Sequence, residues 1–191
     1  MQVHAGSAPC QAGRVSVPHV APSDDVVIRP RRSEDLQACV ALLHQVHQRD
    51  RYPVHWPADP VAFLTPADEL VTWVATSDAV VIGQVMLATA PEGLAALSAS
   101  ADEQLARSEN LLLLRQLFVA PEARGQGLGS QLLDVATAGA AARGRRAALE
   151  VLSINVDAIA LYERAGWTAV ATTTPHWVPD GMHAVVFLAP S

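Results

Sequence analysis

Residues 111 to 129, LLLLRQLFVAPEARGQGLG, decide the fold of this chain. The apolar run from Leu111 to Val119 is typical of a buried strand, and the next four residues contain the proline of a turn. A glycine-rich segment follows, and a helical pattern then begins at Leu128. Glycines between a strand and a helix allow close approach of a ligand to the backbone. The free N–H groups and positive dipole end of the helix favour an anion, most often a phosphate.

Two common phosphate-binding fingerprints do not fit this loop. The dinucleotide pattern G-x-G-x-x-G, counted from Gly125, meets Ser130 at its third glycine. The pattern G-x-x-x-x-G-K-[ST] requires a lysine, and all thirteen basic residues of this chain are arginine. The pattern that does fit is [RQ]-x-x-G-x-[GA], formed by Arg124, Gly127 and Gly129. With this loop the chain resembles the GCN5-related N-acetyltransferase (GNAT) family, which binds the pyrophosphate of acetyl-CoA there.

A second segment strengthens the resemblance. From Asn155 to Trp167 the chain is similar to the N-x-x-A-x-x-L-Y-x-x-x-G-[FW] segment of the same family. Asn155 and Tyr162 are seven residues apart, which is almost two turns, so they share one face of a helix. Two separate motifs at suitable spacing identify the family better than either motif alone.

Composition sets the broad class. The chain has 191 residues, half of them hydrophobic and 17% charged, which suits one globular domain with its own core. A formal net charge of −6 argues against a nucleic-acid partner. Cys10 and Cys39 are too few for a disulfide framework. No apolar run reaches membrane-spanning length and no secretory signal is evident, so we expect a cytoplasmic protein without membrane association.

The element pattern predicts the fold class. Residues 1–25 mix Pro, Gly, Ser and Ala without a structural period and are expected to be disordered or a loosely docked arm. Residues 26–191 are expected to form a single N-acetyltransferase domain, with a surface insertion or short helix between 91 and 109. Strand and helix patterns alternate as β-α-α-β-β-(insertion)-β-α-β-α-β-β. This order predicts an α+β, three-layer αβα fold, with a mixed, largely antiparallel sheet of six or seven strands and helices on both faces.

The resemblance implies the cofactor site. In the family, the strand before the loop and the strand after the next helix splay apart, and unpaired backbone groups bind the pantetheine arm. This implies main-chain hydrogen bonds from Leu117, Phe118 and Val119 to acetyl-CoA, which is the co-substrate. It places Asn155 at the pantetheine or thioester end. The residues expected to surround the pyrophosphate are Arg124, Gly125, Gln126, Gly127, Leu128, Gly129 and Ser130.

The resemblance also implies the chemistry of acetyl transfer. Tyr162 is expected beside the thioester sulfur, where a phenol can act as general acid. A backbone N–H near Val119 can polarise the carbonyl. The other interpretation of Tyr162 is a plain core residue of an amphipathic helix.

The general base is not evident from the sequence. Some family members carry a glutamate on the strand before the loop, where this chain has Arg115 and Gln116. Arginine cannot act as a base. Because Arg115 alternates with Leu117 and Val119, it is expected to face the acceptor and to bind a carboxylate. The candidate bases are His55, His176 or a chain of water molecules.

The resemblance to the family also implies an acceptor pocket between the early helices and the late strands. This position implicates Tyr52, His55 and Trp56, which lie on a proline-stiffened loop, together with Arg115 and His176. Tyr52 and Trp56 can alternatively be explained as a cover over the core. No metal is expected, because the helical histidines His44 and His47 have no further ligands at zinc spacing.

The predicted function is therefore transfer of acetyl from acetyl-CoA to a primary amine. The acceptor is expected to be a small molecule, and a protein amine remains open. The alternative is a non-catalytic acyl-CoA-binding regulatory module. A homodimer is an expectation from the family.

Overall fold

The computed structural model describes residues 26–94 and 110–190. The predicted tail at 1–25 lies outside the described residues, and so does most of the predicted insertion between 91 and 109. Within the described ranges, no helix is long and apolar enough to cross a membrane.

Within the described residues, seven strands form a single sheet. They are β1 (Val27–Pro30), β2 (Glu69–Ser77), β3 (Val80–Thr89), β4 (Leu111–Val119), β5 (Arg146–Leu152), β6 (Thr168–Thr173) and β7 (Ala184–Leu188). Their spatial order is β1-β2-β3-β4-β5-β7-β6. Among these pairs only β4 and β5 run parallel. The predicted mixed, largely antiparallel sheet is therefore confirmed.

Four α-helices lie wholly within the described residues. They are α1 (Leu36–Asp50), α2 (Pro60–Leu64), α3 (Leu128–Ala141) and α4 (Val156–Arg164). The start of α2 follows the sequence, because Asp59 accepts a hydrogen bond from the amide of Ala62 at 2.9 Å. Before α1, the carboxylate of Asp35 accepts a hydrogen bond from the amide of Arg32 at 2.7 Å.

Helix α3 packs closely on one face of the sheet, which is called the α3 side below. A Cβ added at Gly139 would lie 2.5 Å from Trp73 Cη2, and one added at Gly83 would lie 2.9 Å from Leu132 Cδ1. Both glycines therefore permit a helix-to-sheet approach that a side chain would block. Leu132 is completely buried, and burial of a leucine stabilises the fold by about 1.5–3 kcal/mol.

Helices α1 and α2 cover the opposite face, called the α1 side below. Gln84 alternates with Gly83 along β3, so its fully buried side chain lies on this face. Its Oε1 accepts a hydrogen bond from Arg31, which also donates to the carbonyl of Leu64 in α2. Gln84 in turn donates to Gln116 of β4 at 3.2 Å. This buried network holds α2 against the centre of the sheet.

Candidate active site

The parallel strands β4 and β5 separate halfway along their length. They pair only at Leu111, Leu112 and Leu113, opposite residues 146–148. Yet β4 continues to Val119 and β5 to Leu152. Beyond Leu113 the two strands leave a gap between their facing edges. The separation implied by the family resemblance is therefore present in this fold.

A β-bulge lies in β4 at the edge of this gap. Met86 of β3 is opposite Arg115, while Gln84 is opposite Phe118, so two residues of β4 face one residue of β3. Gln116 occupies the bulge with φ of 54°, and its side chain donates to the carbonyl of Phe63 at 2.5 Å. The contact with α2 thus holds the bulge from the α1 side.

The bulge changes which residues of β4 share a face. Arg115 is opposite Met86 and lies on the α1 side, whereas Val119 is opposite Gly83 and lies on the α3 side. The two-residue period of a regular strand predicts that Arg115 and Val119 share a face. This prediction is wrong, because the extra residue of the bulge shifts the period. Arg115 still faces the side on which the acceptor was expected.

The backbone at the end of β4 turns towards the gap at alternate residues. Ala120 donates its amide to the carbonyl of Ile82 in β3 at 2.8 Å. By the alternation of a strand, the N–H and C=O of Val119 point away from β3, into the gap. Phe118 is in register with Gln84, so its N–H and C=O face β3. They do not face the gap, where the resemblance implied that they would bind acetyl-CoA. Phe118 contributes its ring, which lies 6.3 Å from that of Tyr52.

The glycine loop leads directly from the gap into α3. Gly125 and Gly127 have φ of 76° and 80°, values that favour glycine. The amide of Gln131 donates to the carbonyl of Gly127. The amides of Leu128, Gly129 and Ser130 are therefore the first-turn donors that a helix leaves without intrahelical partners. The loop from Arg124 through Gln126 to Gly127 is exposed, so an anion can reach it.

Arg124 is held by two acceptors beside this loop. Its Nε and Nη2 donate to the carbonyl of Val119 at 3.2 and 3.1 Å. Its Nη2 also forms an ion pair with Asp50, the last residue of α1. Sequence spacing gave no sign of this pair, since the two residues are 74 positions apart.

Tyr162 lies in α4 on the α3 side of the gap. Its ring centroid is 6.0 Å from that of Trp167 and 5.8 Å from that of Phe187. Burial raises the pKa of its phenol, and so does the neighbouring Tyr52, so the phenol stays protonated throughout the ordinary pH range. Asn155, the N-cap of α4, makes no side-chain capping hydrogen bond. Its amide group is therefore not used for capping.

The predicted acceptor loop contributes Tyr52 most directly. Burial raises the pKa of Tyr52 to about 12, against the opposing effects of the Arg115 charge and the Gln116 amide. The ring of Trp56 instead packs on two imidazoles of α1, at 5.1 Å from His44 and 5.4 Å from His47.

The two histidines proposed as bases lie on exposed loops. His55 and His176 are both exposed, and neither makes a hydrogen bond or ring contact to another described residue. Among the described residues there is also no group of three or more His, Cys, Asp or Glu that could hold a metal ion.

Glu150 is an acidic residue at the gap that sequence reasoning did not single out. It lies in β5, two residues beyond Ala148, the last residue paired with β4. Leu113 and Ala148 are partners, so Arg115 and Glu150 follow them on the same face, the α1 side. Burial raises the pKa of the Glu150 carboxyl. The signal available in the sequence was one carboxylate among the apolar residues of β5 that follow Arg146.

A groove of about 320 Å³ lies elsewhere, between α1 and the start of β3. Its lining includes Ala38, Gln45 and Val80, and none of the predicted site residues. It is therefore separate from the gap.

Comparison with known proteins gives a consistent result. The family model for the acetyltransferase (GNAT) family matches residues 42–167. No curated protein sequence is significantly similar to this chain. Many solved structures share its fold.

Three of these solved structures illustrate the fold likeness. The ribosomal-protein-S18-alanine N-acetyltransferase from Escherichia coli is 19% identical, with a TM-score of 0.63, covering 87% of this chain and 94% of that one. An N-acetyltransferase from Staphylococcus aureus Mu50 is 18% identical, with a TM-score of 0.68 and coverage of 86% and 98%. Arabidopsis thaliana NAA60, solved in complex with acetyl-CoA, is 21% identical, with a TM-score of 0.64 and coverage of 86% and 97%.

Proposed function

Because the chain belongs to the GNAT acetyltransferase family, we propose that it moves an acetyl group from acetyl-CoA directly to a primary amine of a small molecule. The observation that carries this proposal is the gap between β4 and β5, which has the glycine loop at one end. Tyr162 approaches the gap from one side of the sheet, and Glu150 lies on the other side. Such a gap lets two substrates meet through the sheet.

The cofactor is proposed to bind from the α3 side. The pyrophosphate would accept hydrogen bonds from the first-turn amides of α3, where the helix dipole also favours negative charge. Arg124 would add a positive charge there. The pantetheine arm would then follow the gap, pairing with backbone groups of Leu117, with the N–H of Val119, whose carbonyl already accepts from Arg124, and with the side chain of Asn155.

Tyr162 is proposed as the general acid. During transfer, the amine nitrogen bonds to the thioester carbon and the carbon–sulfur bond breaks. The departing sulfur then takes a proton from the phenol. A buried phenol with a raised pKa suits this role, because it is protonated at every pH at which the enzyme would work.

Glu150 is proposed as the general base, in place of His55 and His176. It would take the proton that the amine loses on attack, either directly or through one water molecule. Burial raises the pKa of its carboxyl, which makes it a stronger base than an exposed glutamate. Its position on the α1 side matches the side from which the amine would enter.

A binding module without catalysis was the alternative. It was motivated by Arg115, which stands where some relatives carry an acid. Glu150 on the neighbouring strand supplies a carboxylate near the same point, so the argument for a non-catalytic module is weaker. Replacing Tyr162 with Phe discriminates the two proposals, since a module that only binds acyl-CoA does not need the phenol.

Thermal unfolding with acetyl-CoA, CoA, NAD and ATP is the first test of the cofactor. A ligand at a hundred times its Kd stabilises the fold by about 2.7 kcal/mol, which raises Tm by several degrees. We expect a shift with acetyl-CoA and CoA only. Release of CoA thiol in the presence of an amine panel then tests transfer. Absence of any shift with either CoA species would contradict the proposed cofactor site.

A further inference from the structure

Arg115 is a charged residue within the apolar run of β4. It is flanked by Leu114 and Gln116, both buried, while its own side chain is 29% exposed. A charge in a strand interior is costly unless other groups compensate for it. We therefore expect the guanidinium of Arg115 to have polar or charged partners at the point where β4 separates from β5.

The partners seen in the structure use only part of the guanidinium. Nη2 donates to Asp68, which precedes β2. Nε is buried and has no hydrogen-bond partner among the described residues. A guanidinium has five N–H donors in a planar fork. The guanidinium therefore has more donors than the structure pairs, and its side chain is partly exposed on the α1 side, where a ligand could accept them.

The surroundings of Arg115 favour a ligand with a single negative charge. Asp68 already balances part of the positive charge, which leaves less attraction for a dianion such as a phosphate. Tyr52 adds a neutral phenol, which is close enough to Arg115 for the positive charge to lower its pKa against the larger effect of burial. A guanidinium fork and a phenol together match a carboxylate.

Arg115 and Glu150 occupy corresponding positions on adjacent strands. Each lies two residues beyond the last paired residues, Leu113 and Ala148, on the same face. Neighbouring strands are about 4.8 Å apart where they pair, and these two diverge from there. A small molecule with an amine and a carboxylate a few bonds apart would span this distance.

We propose that Arg115 binds the carboxylate of the acceptor, so that the acceptor is an amino acid or a closely related amino carboxylate whose amine lies beside Glu150. This inference rests on the proposed acetyl transfer and names its substrate class. Asp68 holds the guanidinium in position, and Tyr52 donates a hydrogen bond to the same carboxylate.

Paired acceptors test this inference. Initial rates are measured for the twenty amino acids and for the corresponding amino acid amides, which keep the amine and lose the carboxylate. The wild type is expected to favour the acid over its amide by about 10- to 100-fold in kcat/KM, the range for one hydrogen-bonded charge pair. In Arg115→Gln this preference should disappear, mainly through a higher KM for the acid, while the Tm shift with acetyl-CoA is retained. Arg143→Gln, an exposed arginine of the segment after α3, is the matched control and should keep the preference.

The outcomes separate this inference from the proposed function. Equal rates for acid and amide in the wild type, or an equal loss for both in Arg115→Gln, would overturn the carboxylate role. No acetylation of either acceptor with the acetyl-CoA shift intact would overturn the acceptor class, and loss of the shift as well would overturn the proposed function.

If Arg115→Gln does not fold, Arg115→Lys keeps the charge without the fork, and should lower the preference for the acid over the amide in part. Inhibition by carboxylic acids that lack the amine, competitive with the acceptor, gives the same information on wild-type protein, and its absence would contradict the inference.

Discussion

The phenol of Tyr52 acts on the phenol of Tyr162 across the plane of the sheet. The ring of Tyr52 makes a tilted contact with that of Phe118 on the α1 side, and the ring of Tyr162 makes a tilted contact with that of Phe187 on the α3 side. Even so, Tyr52 contributes to the raised pKa of the Tyr162 phenol. A continuous sheet would separate two such groups, and here β4 and β5 no longer pair between them. The two phenols therefore mark the opening through which an acetyl group would pass.

Replacing Tyr162 with Phe should remove transfer without removing cofactor binding. The ring packing on Trp167 is kept, and only the proton donor is lost. We expect kcat to fall by about 10²–10⁴-fold, the usual contribution of a general acid. The Tm shift with acetyl-CoA should be unchanged. A variant that transfers acetyl at the wild-type rate would show that Tyr162 is only a core residue.

Replacing Glu150 with Gln should make the enzyme slower and the fold more stable near neutral pH. Burial raises the pKa of this carboxyl above its ordinary 4.5, so the ionised form is the one that burial disfavours in the folded state. The folded chain binds this proton more readily than the unfolded chain. Burying the ionised carboxylate therefore lowers the free energy of unfolding as pH rises through the pKa of the folded state, and this loss is complete above that pKa.

Two measurements check this prediction for Glu150. Chemical denaturation at pH 7 should give an equal or higher free energy of unfolding for the amide variant. The wild-type pH profile of kcat/KM should show an acid limb above pH 4.5 that is absent from the variant. An unchanged profile in the variant would exclude Glu150 as the base.

Replacing Asp50 with Asn should release Arg124 for the cofactor. Asp50 pairs with Arg124 at the surface, where ion pairs contribute about 0–1 kcal/mol, so stability should change little. Acetyl-CoA should bind the same or a few times more tightly, because the arginine no longer shares its charge. Arg124→Gln should weaken binding by about 10-fold, as expected for a hydrogen bond between charged groups. Calorimetric titration with acetyl-CoA measures the Kd of both variants. Weaker binding in Asp50→Asn would contradict this prediction and would mean that the ion pair between Asp50 and Arg124 preorganises the loop.

Replacing Gly127 with Ala should affect both stability and cofactor affinity. Its φ of 80° is unfavourable for alanine by about 1–2 kcal/mol. Gly144→Ala is the matched control, because Gly144 has φ of 66°, lies after α3, and likewise has open space where a Cβ would be. Both variants should lose similar stability in denaturant, and only Gly127→Ala should lose acetyl-CoA affinity. Equal affinities would mean that the loop backbone does not contact the cofactor.

Local signals were sufficient for the elements and for the glycine loop. The aspartate before α2, the proline at the first position of α2, and the glycines before α3 act within a few residues of their own positions. The tyrosine on α4 was recognisable in the same way, from a motif contained in one helix. The sheet followed from the order of these elements, because hairpins and one β-α-β unit leave few ways to pair the strands.

By itself, therefore, the sequence determined the family, the order of elements, and which turn offers free amides to an anion. Only the tertiary structure decided which groups meet at the gap. The bulge at Gln116 placed Arg115 and Val119 on opposite faces, and strand pairing brought Glu150 level with Arg115. The contact of Arg124 with Asp50 depends in the same way on how α1 packs. These relationships depend on register and packing between distant segments, which no periodicity within one segment encodes.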